Sequence, residues 1–185
     1  MKDIIPNVGN RLTYTFQSMS VPTKVPEQAV KHKLNRDRAF ELELFSQSEM
    51  RKLRNDFYFQ LRRRGVNVRK KKIDEAFQRL MKSVAGKIDT SDIQKKGVGH
   101  VIGEDRHFGD GRDSQEWFYV VDWPSGNEVR EHFEFEKADF HITLGLTGNG
   151  VNEFRKDETT LLDDQEMKNQ NSNLSNLFKQ DDDNG

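Results

Sequence analysis

The chain has no cysteine, so a disulfide, a thiolate metal ligand and a cysteine nucleophile are all excluded, and a reducing compartment is the natural expectation. Proline is scarce as well. Of the four prolines, Pro6, Pro22 and Pro26 fall within the first 36 residues. Long apolar runs are missing: no window nears the roughly 18 consecutive apolar residues that cross a bilayer. The start, MKDIIPNVGNRLTYTF, lacks the continuous apolar centre of a secretion signal. A cytoplasmic protein is expected. No charge of one sign dominates, since the formal net charge is -1 over 185 residues; a globally basic nucleic-acid binder is excluded, and a local basic patch is not. Hydrophobic residues make up only 33% and charged residues another 33%, below the usual apolar share of a globular chain. Part of the chain must therefore be unfolded or lie on the surface.

What is present divides into three parts. Residues 1–36 show little periodicity beyond LTYTF (Leu12 to Phe16) and read as an extended lead-in. Residues 37–162 carry the patterns of one α+β domain, and 163–185 (DDQEMKNQNSNLSNLFKQDDDNG) are too polar to support a core, so a disordered tail is expected there. In AFELELF, Phe40, Leu42 and Leu44 alternate with Glu41 and Glu43, the period of a half-buried strand. Ser46-Gln47-Ser48-Glu49 fits a capping box. Met50, Leu53, Phe57 and Leu61 then recur at helical spacing until Gly65, which suits a left-handed C-terminal cap. A second helix is marked by Ile73, Ala76, Phe77, Leu80, Met81 and Val84, ending near Gly86. Residues 97–103 and 116–123 read as strands, Pro124 to Asn127 as a hairpin turn, 129–135 as a further strand and FHITLGL as the last. The expected fold is an antiparallel-rich sheet packed on two helices.

The chemistry concentrates in FHITLGLTG, Phe140 to Gly148. Strand alternation puts Phe140, Ile142, Leu144 and Leu146 on one face and His141, Thr143 and Gly145 on the other. An imidazole and a hydroxyl about 7 Å apart, two rises of roughly 3.3 Å, can both reach one phosphate group. Histidine exchanges a proton near neutral pH and threonine donates a hydrogen bond to a phosphoryl oxygen. Gly145 is expected to leave room for a ligand against the backbone, and Arg155 and Lys156 add positive charge just downstream.

FHITLGL resembles the signature strand of the two-histidine (2H) phosphoesterases: an apolar residue, His, any residue, Thr or Ser, an apolar residue. The longer run FHITLGLTGNGVNEFRKDETTLL is similar to the Swiss Army Knife branch of that superfamily, associated with RNA repair and nucleotide metabolism. The resemblance implies a metal-independent phosphodiesterase without cofactor, acting on a cyclic phosphate or phosphodiester of RNA or a nucleotide. It further implies a concave sheet with two His-x-Thr motifs on its pseudo-symmetric halves, whose histidines serve as general base and general acid. His141 and Thr143 take the places of the second motif.

The first motif is not met, because no other His-x-Thr or His-x-Ser occurs in the chain. His100, on the strand GHVIGED, ranks first as the missing histidine although Ile102 stands where a hydroxyl belongs. His132, between Arg130 and Glu134 on an expected neighbouring strand, is a substrate-binding candidate; His107 and His32 rank lower, as do Tyr14 and Thr15 as a replaced first motif. The expected site is therefore catalytic His141, Thr143 and His100, with Arg155, Lys156 and His132 binding substrate and no metal. A silent nucleotide- or RNA-binding module of the same fold is the alternative. Two further features stand apart: a basic cluster at Arg62 to Arg64 and Arg69 to Lys72, suited to phosphate backbones, and Leu174, Leu177 and Phe178 in the tail, on which a protein partner could dock. No dinucleotide fingerprint, phosphate loop or zinc spacing is present, and GEDRHFGDGRD lacks the spacing of a calcium loop.

Overall fold

The computed structural model describes residues 3–104, 113–152 and 154–162; His107 and the tail 163–185 lie outside the described residues. The fold is α+β, and the described residues form four helices and two three-stranded antiparallel sheets. In chain order these are β1 (Ile4–Val8), β2 (Leu12–Phe16), α1 (Glu27–Arg36), β3 (Phe40–Phe45), α2 (Gln47–Arg63), α3 (Lys70–Lys87), β4 (Gln94–Glu104), β5 (Asp113–Asp122), α4 (Pro124–His132) and β6 (His141–Thr147), followed by a 3₁₀ turn at Glu158–Thr160. They gather into two compact units. The first comprises the described residues of 1–17, Glu41–Ile93 and Trp123–Ala138; the second comprises Ser18–Phe40, the described residues of 94–122 and those from Asp139 on.

In the first unit β1, β2 and β3 form a sheet in that order. Its core holds Leu12 and Tyr14 of β2, Leu42, Leu44 and Phe45 of β3, and Met50, Ile73, Phe77 and Met81 of α2 and α3. Tyr14 lies in this core and donates to the Ala85 carbonyl at 2.7 Å. The α3 stripe buries Ile73, Phe77, Met81 and Ala85, whereas Leu80 from the expected stripe is exposed. Helix α2 starts at the capping box: Ser46 Oγ accepts from the Glu49 amide and Glu49 Oε1 accepts from the Ser46 amide. Its end is equally defined. Gly65 adopts φ 77°, its amide donates to the Arg62 carbonyl, and the Val66 amide donates to Leu61, the paired bonds of a Schellman motif that only a residue tolerant of positive φ closes without strain.

Two expectations are corrected by this architecture. Residues 27–36, read as part of an extended lead-in, form α1. Residues 124–132, read as a turn entering a strand, form α4, with Pro124 in the first helical turn, where a locked φ and a missing amide cost nothing. The apolar alternation of that stretch has a different origin: Phe133 and Phe135 follow the helix and both set their rings against Phe45, at 5.7 and 5.6 Å. Arg130, 6% exposed, joins α4 to the rest of its unit. It donates to the Leu44 carbonyl at 2.7 Å and to both carboxylate oxygens of Glu49, at 2.9 and 2.7 Å. Burial pushes the Glu49 carboxyl up, but the Arg130 hydrogen bonds and the Ser46 amide outweigh it and hold it below the usual carboxylate range.

The second unit is the sheet β4-β5-β6, antiparallel throughout, with α1 packed along one face. Val25 and Ala29 meet Val98, Trp117 and Leu144 there. The opposite face gathers Val101, Phe118, Val120 and Val151. The described residues of 148–162 return across this second face, where Leu161 bridges Gly99 and the Leu162 amide donates to the Val98 carbonyl at 3.0 Å.

Candidate active site

Strand β6 carries His141 and Thr143 on the face away from α1. The His141 ring meets the edge of Phe118 at 5.8 Å, and Thr143 Oγ1 donates to Glu116 Oε2 at 3.3 Å. Phe118 and Glu116 belong to the face that includes Val101 and Val120, so the imidazole and the hydroxyl share it as strand alternation requires. Both are half-buried.

The alternation does not continue. A register shift between Trp117 and Phe118 pairs them with Gly145 and Thr143, so Leu144 is the extra residue of a β-bulge, and it and Gly145 both turn to the helix side. A Cβ placed on Gly145 would stand 3.0 Å from the Ala29 backbone carbon and 3.1 Å from Val25 Cγ1. Gly145 therefore makes room for α1, and the expectation that it admits a ligand beside His141 is corrected. Leu146 passes to the other face with its strand partner Glu116.

Polar contacts fix the two key side chains. The His141 Nδ1 lies 3.2 Å from the Asp139 carbonyl. A carbonyl can only accept, so Nδ1 carries the proton of that bond and Nε2 carries the lone pair of the neutral ring. Asp139 is itself gripped: Arg155 Nε and Nη2 donate to its two carboxylate oxygens at 2.7 and 3.0 Å. That pairing is the first cause holding the Arg155 guanidinium above its ordinary value, with Asp157 also contributing. Behind Thr143 sits a buried ion pair. Lys156 Nζ lies 3.2 Å from Glu116 Oε2 and donates to the Val151 carbonyl at 2.6 Å, and the two residues are 8% and 5% exposed. Glu116 Oε2 thus serves Thr143 and Lys156 together.

The other expected site residues lie elsewhere. His100 is paired with Trp117 across β4 and β5 and lies on the α1 side; its ring is 4.7 Å from that of Trp117 and its Nε2 is 2.8 Å from Gln115 Oε1. The sheet itself separates it from His141. Burial lowers the His100 pKa, and the Gln115 hydrogen bond only partly opposes this. His32, on α1, sets Nε2 2.9 Å from the Gly148 carbonyl, which also accepts from Arg36 at 2.8 Å. His132 is the last residue of α4 in the first unit, not a strand residue; it lines a cavity of about 310 Å³ with Phe57, Phe77 and Phe133. Arg155 is drawn to Asp139, just before β6, and Lys156 to Glu116 on β5.

Two residues at the site were missed in the sequence, Glu116 and Asp139. Glu116 had a usable signal, since a carboxylate preceding the apolar run WFYVV must be buried or paired on a covered strand. Asp139 had none, because its task is performed by a backbone carbonyl. Among the described residues no three His, Asp or Glu side chains gather so as to hold a metal ion, and no helix is long and apolar enough to cross a membrane.

Residues 31–151 match the Swiss Army Knife 2H phosphoesterase domain, well over half of the 185 residues, and the chain belongs to that family. The match includes His141 and Thr143 and stops short of Arg155 and Lys156. Membership supports a phosphodiesterase type of function in general. No curated protein and no solved structure gives a significant match.

Proposed function

We propose that the β6 face acts on a cyclic phosphate or phosphodiester of RNA or a nucleotide, with His141 exchanging the proton and Thr143 holding a phosphoryl oxygen. The observation that carries this is the fixed orientation of His141: with Nδ1–H committed to the Asp139 carbonyl, Nε2 is the ring's basic atom. It accepts the proton of an attacking water as that water adds to phosphorus, while the bond from phosphorus to the ribose oxygen breaks on the opposite side and that oxygen takes its proton from solvent. The Thr143 hydroxyl needs only to turn from Glu116, a contact of 3.3 Å that lies at the weak end of hydrogen bonding. Lys156 behind the same carboxylate oxygen holds the local negative charge in check as a phosphate arrives.

One observation favours a second reading. Among the described residues of the second unit, no other histidine lies on the His141 face, and a module that binds phosphodiesters without turning them over fits that arrangement. The two readings separate in one experiment: 2′,3′-cyclic AMP is followed by ³¹P NMR with the wild type and with His141→Ala. Turnover that disappears in the variant supports the esterase; binding of the nucleotide with no turnover by either protein supports the silent module.

A further inference from the structure

Charge in this chain is strongly segregated. The whole carries a net charge of -1, yet between Arg51 and Lys72 ten basic side chains accompany a single acidic one, Asp56. The structure presents the densest part of this run at the α2–α3 junction in the first unit, where Arg63, Arg64, Arg69, Lys70 and Lys71 are all exposed. Among the described residues none of these five makes a salt bridge, and Lys72 makes one, with Glu75 at 4.0 Å.

The arrangement runs against local helix preference. Helix α3 has no acidic residue in its first turn and no side-chain cap from Arg69, so Lys70, Lys71 and Lys72 stand at the positive end of its dipole. Among the described residues the only salt bridge to these three lysines is Lys72–Glu75 at 4.0 Å, and a helix start that gathers cations against its own dipole is the mark of a surface shaped for something outside the chain. The junction is also held still. Beyond the Gly65 closure, Arg62 donates to the Val66 and Val68 carbonyls at 3.0 and 2.7 Å and lies over the Tyr58 ring at 5.0 Å. Its neighbours Arg63 and Arg64 are thereby fixed relative to Arg69 and the lysines. Finally, Phe59 is 62% exposed and stands one helical turn before Arg63, so an aromatic plane adjoins the cations on α2.

We propose that this junction is a binding surface for a single-stranded polynucleotide, with Arg63, Arg64, Arg69, Lys70 and Lys71 tracking the phosphates and Phe59 stacking on a base. Cations alone would serve any polyanion; a rigid row of them beside an exposed aromatic ring is the combination that grips unpaired strands without reading sequence. The inference goes beyond the phosphoesterase reading and does not depend on it, because no residue of the β6 face takes part.

The test is fluorescence anisotropy with the full chain carrying His141→Ala, which keeps an RNA probe intact and leaves the surface untouched. The probes are 12-nucleotide single strands of scrambled sequence, one RNA and one DNA, with a 12-base-pair RNA duplex and phosphatidylserine vesicles for comparison. Single strands are expected to bind with a log–log salt slope near -3, about 0.7 per phosphate for four or so contacts. Reversing Arg63, Arg64, Lys70 and Lys71 to Glu should weaken binding by tenfold or more and flatten that slope, and Phe59→Ala should weaken it by about fivefold. A set of Gln substitutions at the same four positions, with an unchanged melting temperature, guards against a folding defect. Equal affinity of the wild type and both four-residue variants, equal binding of the duplex, an effect of Phe59→Ala that is nil, or attachment to vesicles but not to single strands each overturns the proposal. RNA binding that exceeds DNA binding would assign the ribose hydroxyl a part; equal binding supports backbone and base contacts alone.

Discussion

His100 and His141 sit two strands apart in one antiparallel sheet and have opposite surroundings. His100 faces α1, stacks on Trp117 and bonds Gln115, so burial favours its neutral form. His141 faces the other way, with its ring turned by a backbone carbonyl and a hydroxyl two residues on that is tied to a buried ion pair. The same side chain is packing material on one face and a candidate proton carrier on the other. What separates them is the pleat of the sheet, which sends alternate residues to opposite sides, and a bulge that lets β6 keep His141 and Thr143 together while pressing Gly145 against α1.

The comparison can be broken most forcefully at His141. His141→Ala is expected to lower hydrolysis of a cyclic nucleotide by about 10²–10⁴-fold, the usual worth of a positioned acid or base, with the melting temperature nearly unchanged. Next comes Thr143→Val, which keeps the shape and removes the donor. A lost hydrogen bond to a charged phosphate is worth about 1.5–3 kcal/mol, so kcat/KM should drop by about 10- to 100-fold; an unaltered value would remove Thr143 from the account.

On the helix face the effect should appear in stability instead. Gly145→Ala places a Cβ 3.0 Å from the α1 backbone and should cost about 1–3 kcal/mol by urea titration, the range for overpacking. If Gly145 instead bordered the ligand, activity would suffer and stability would not. The smallest expected effect belongs to His100. Its pKa is lowered in the fold, so as pH falls below the ordinary histidine value the unfolded chain takes up a proton first and the native state loses stability until the folded pKa is reached. His100→Gln should remove that part of the pH dependence below pH 6.5 while leaving hydrolysis as it was; a variant whose stability keeps the wild-type pH profile would contradict the buried neutral imidazole.

Local signals were legible in the sequence, and distant ones were not. Ser46 and Glu49 are three residues apart and Gly65 closes its own helix, so their roles follow from short-range rules. The strand character of 97–103, 116–123 and 140–146 was likewise readable from apolar runs and alternation. The α4 helix was not, because Val129, Phe133 and Phe135 alternate like a strand, and what holds the helix is Arg130 meeting Glu49 across 81 positions of sequence. His141 and Thr143 could be found from one strand alone. The placement of His100 could not, since it turns on which face of β4 is covered by α1, and the bulge that reverses Gly145 leaves no mark in the pattern HITLGLT. Lys156 looked like a free cation near a phosphate until its partner Glu116, 40 positions earlier, was in view.

The most direct measurement is a side-by-side assay of His141→Gln and His100→Gln on 2′,3′-cyclic AMP, with product formation followed by ³¹P NMR and folding checked by circular dichroism. If the chemistry belongs to the outward face of β6, the first variant loses turnover and the second retains the wild-type rate. Loss of turnover in His100→Gln with full activity in His141→Gln would place the chemistry on the opposite face of the sheet and contradict this account.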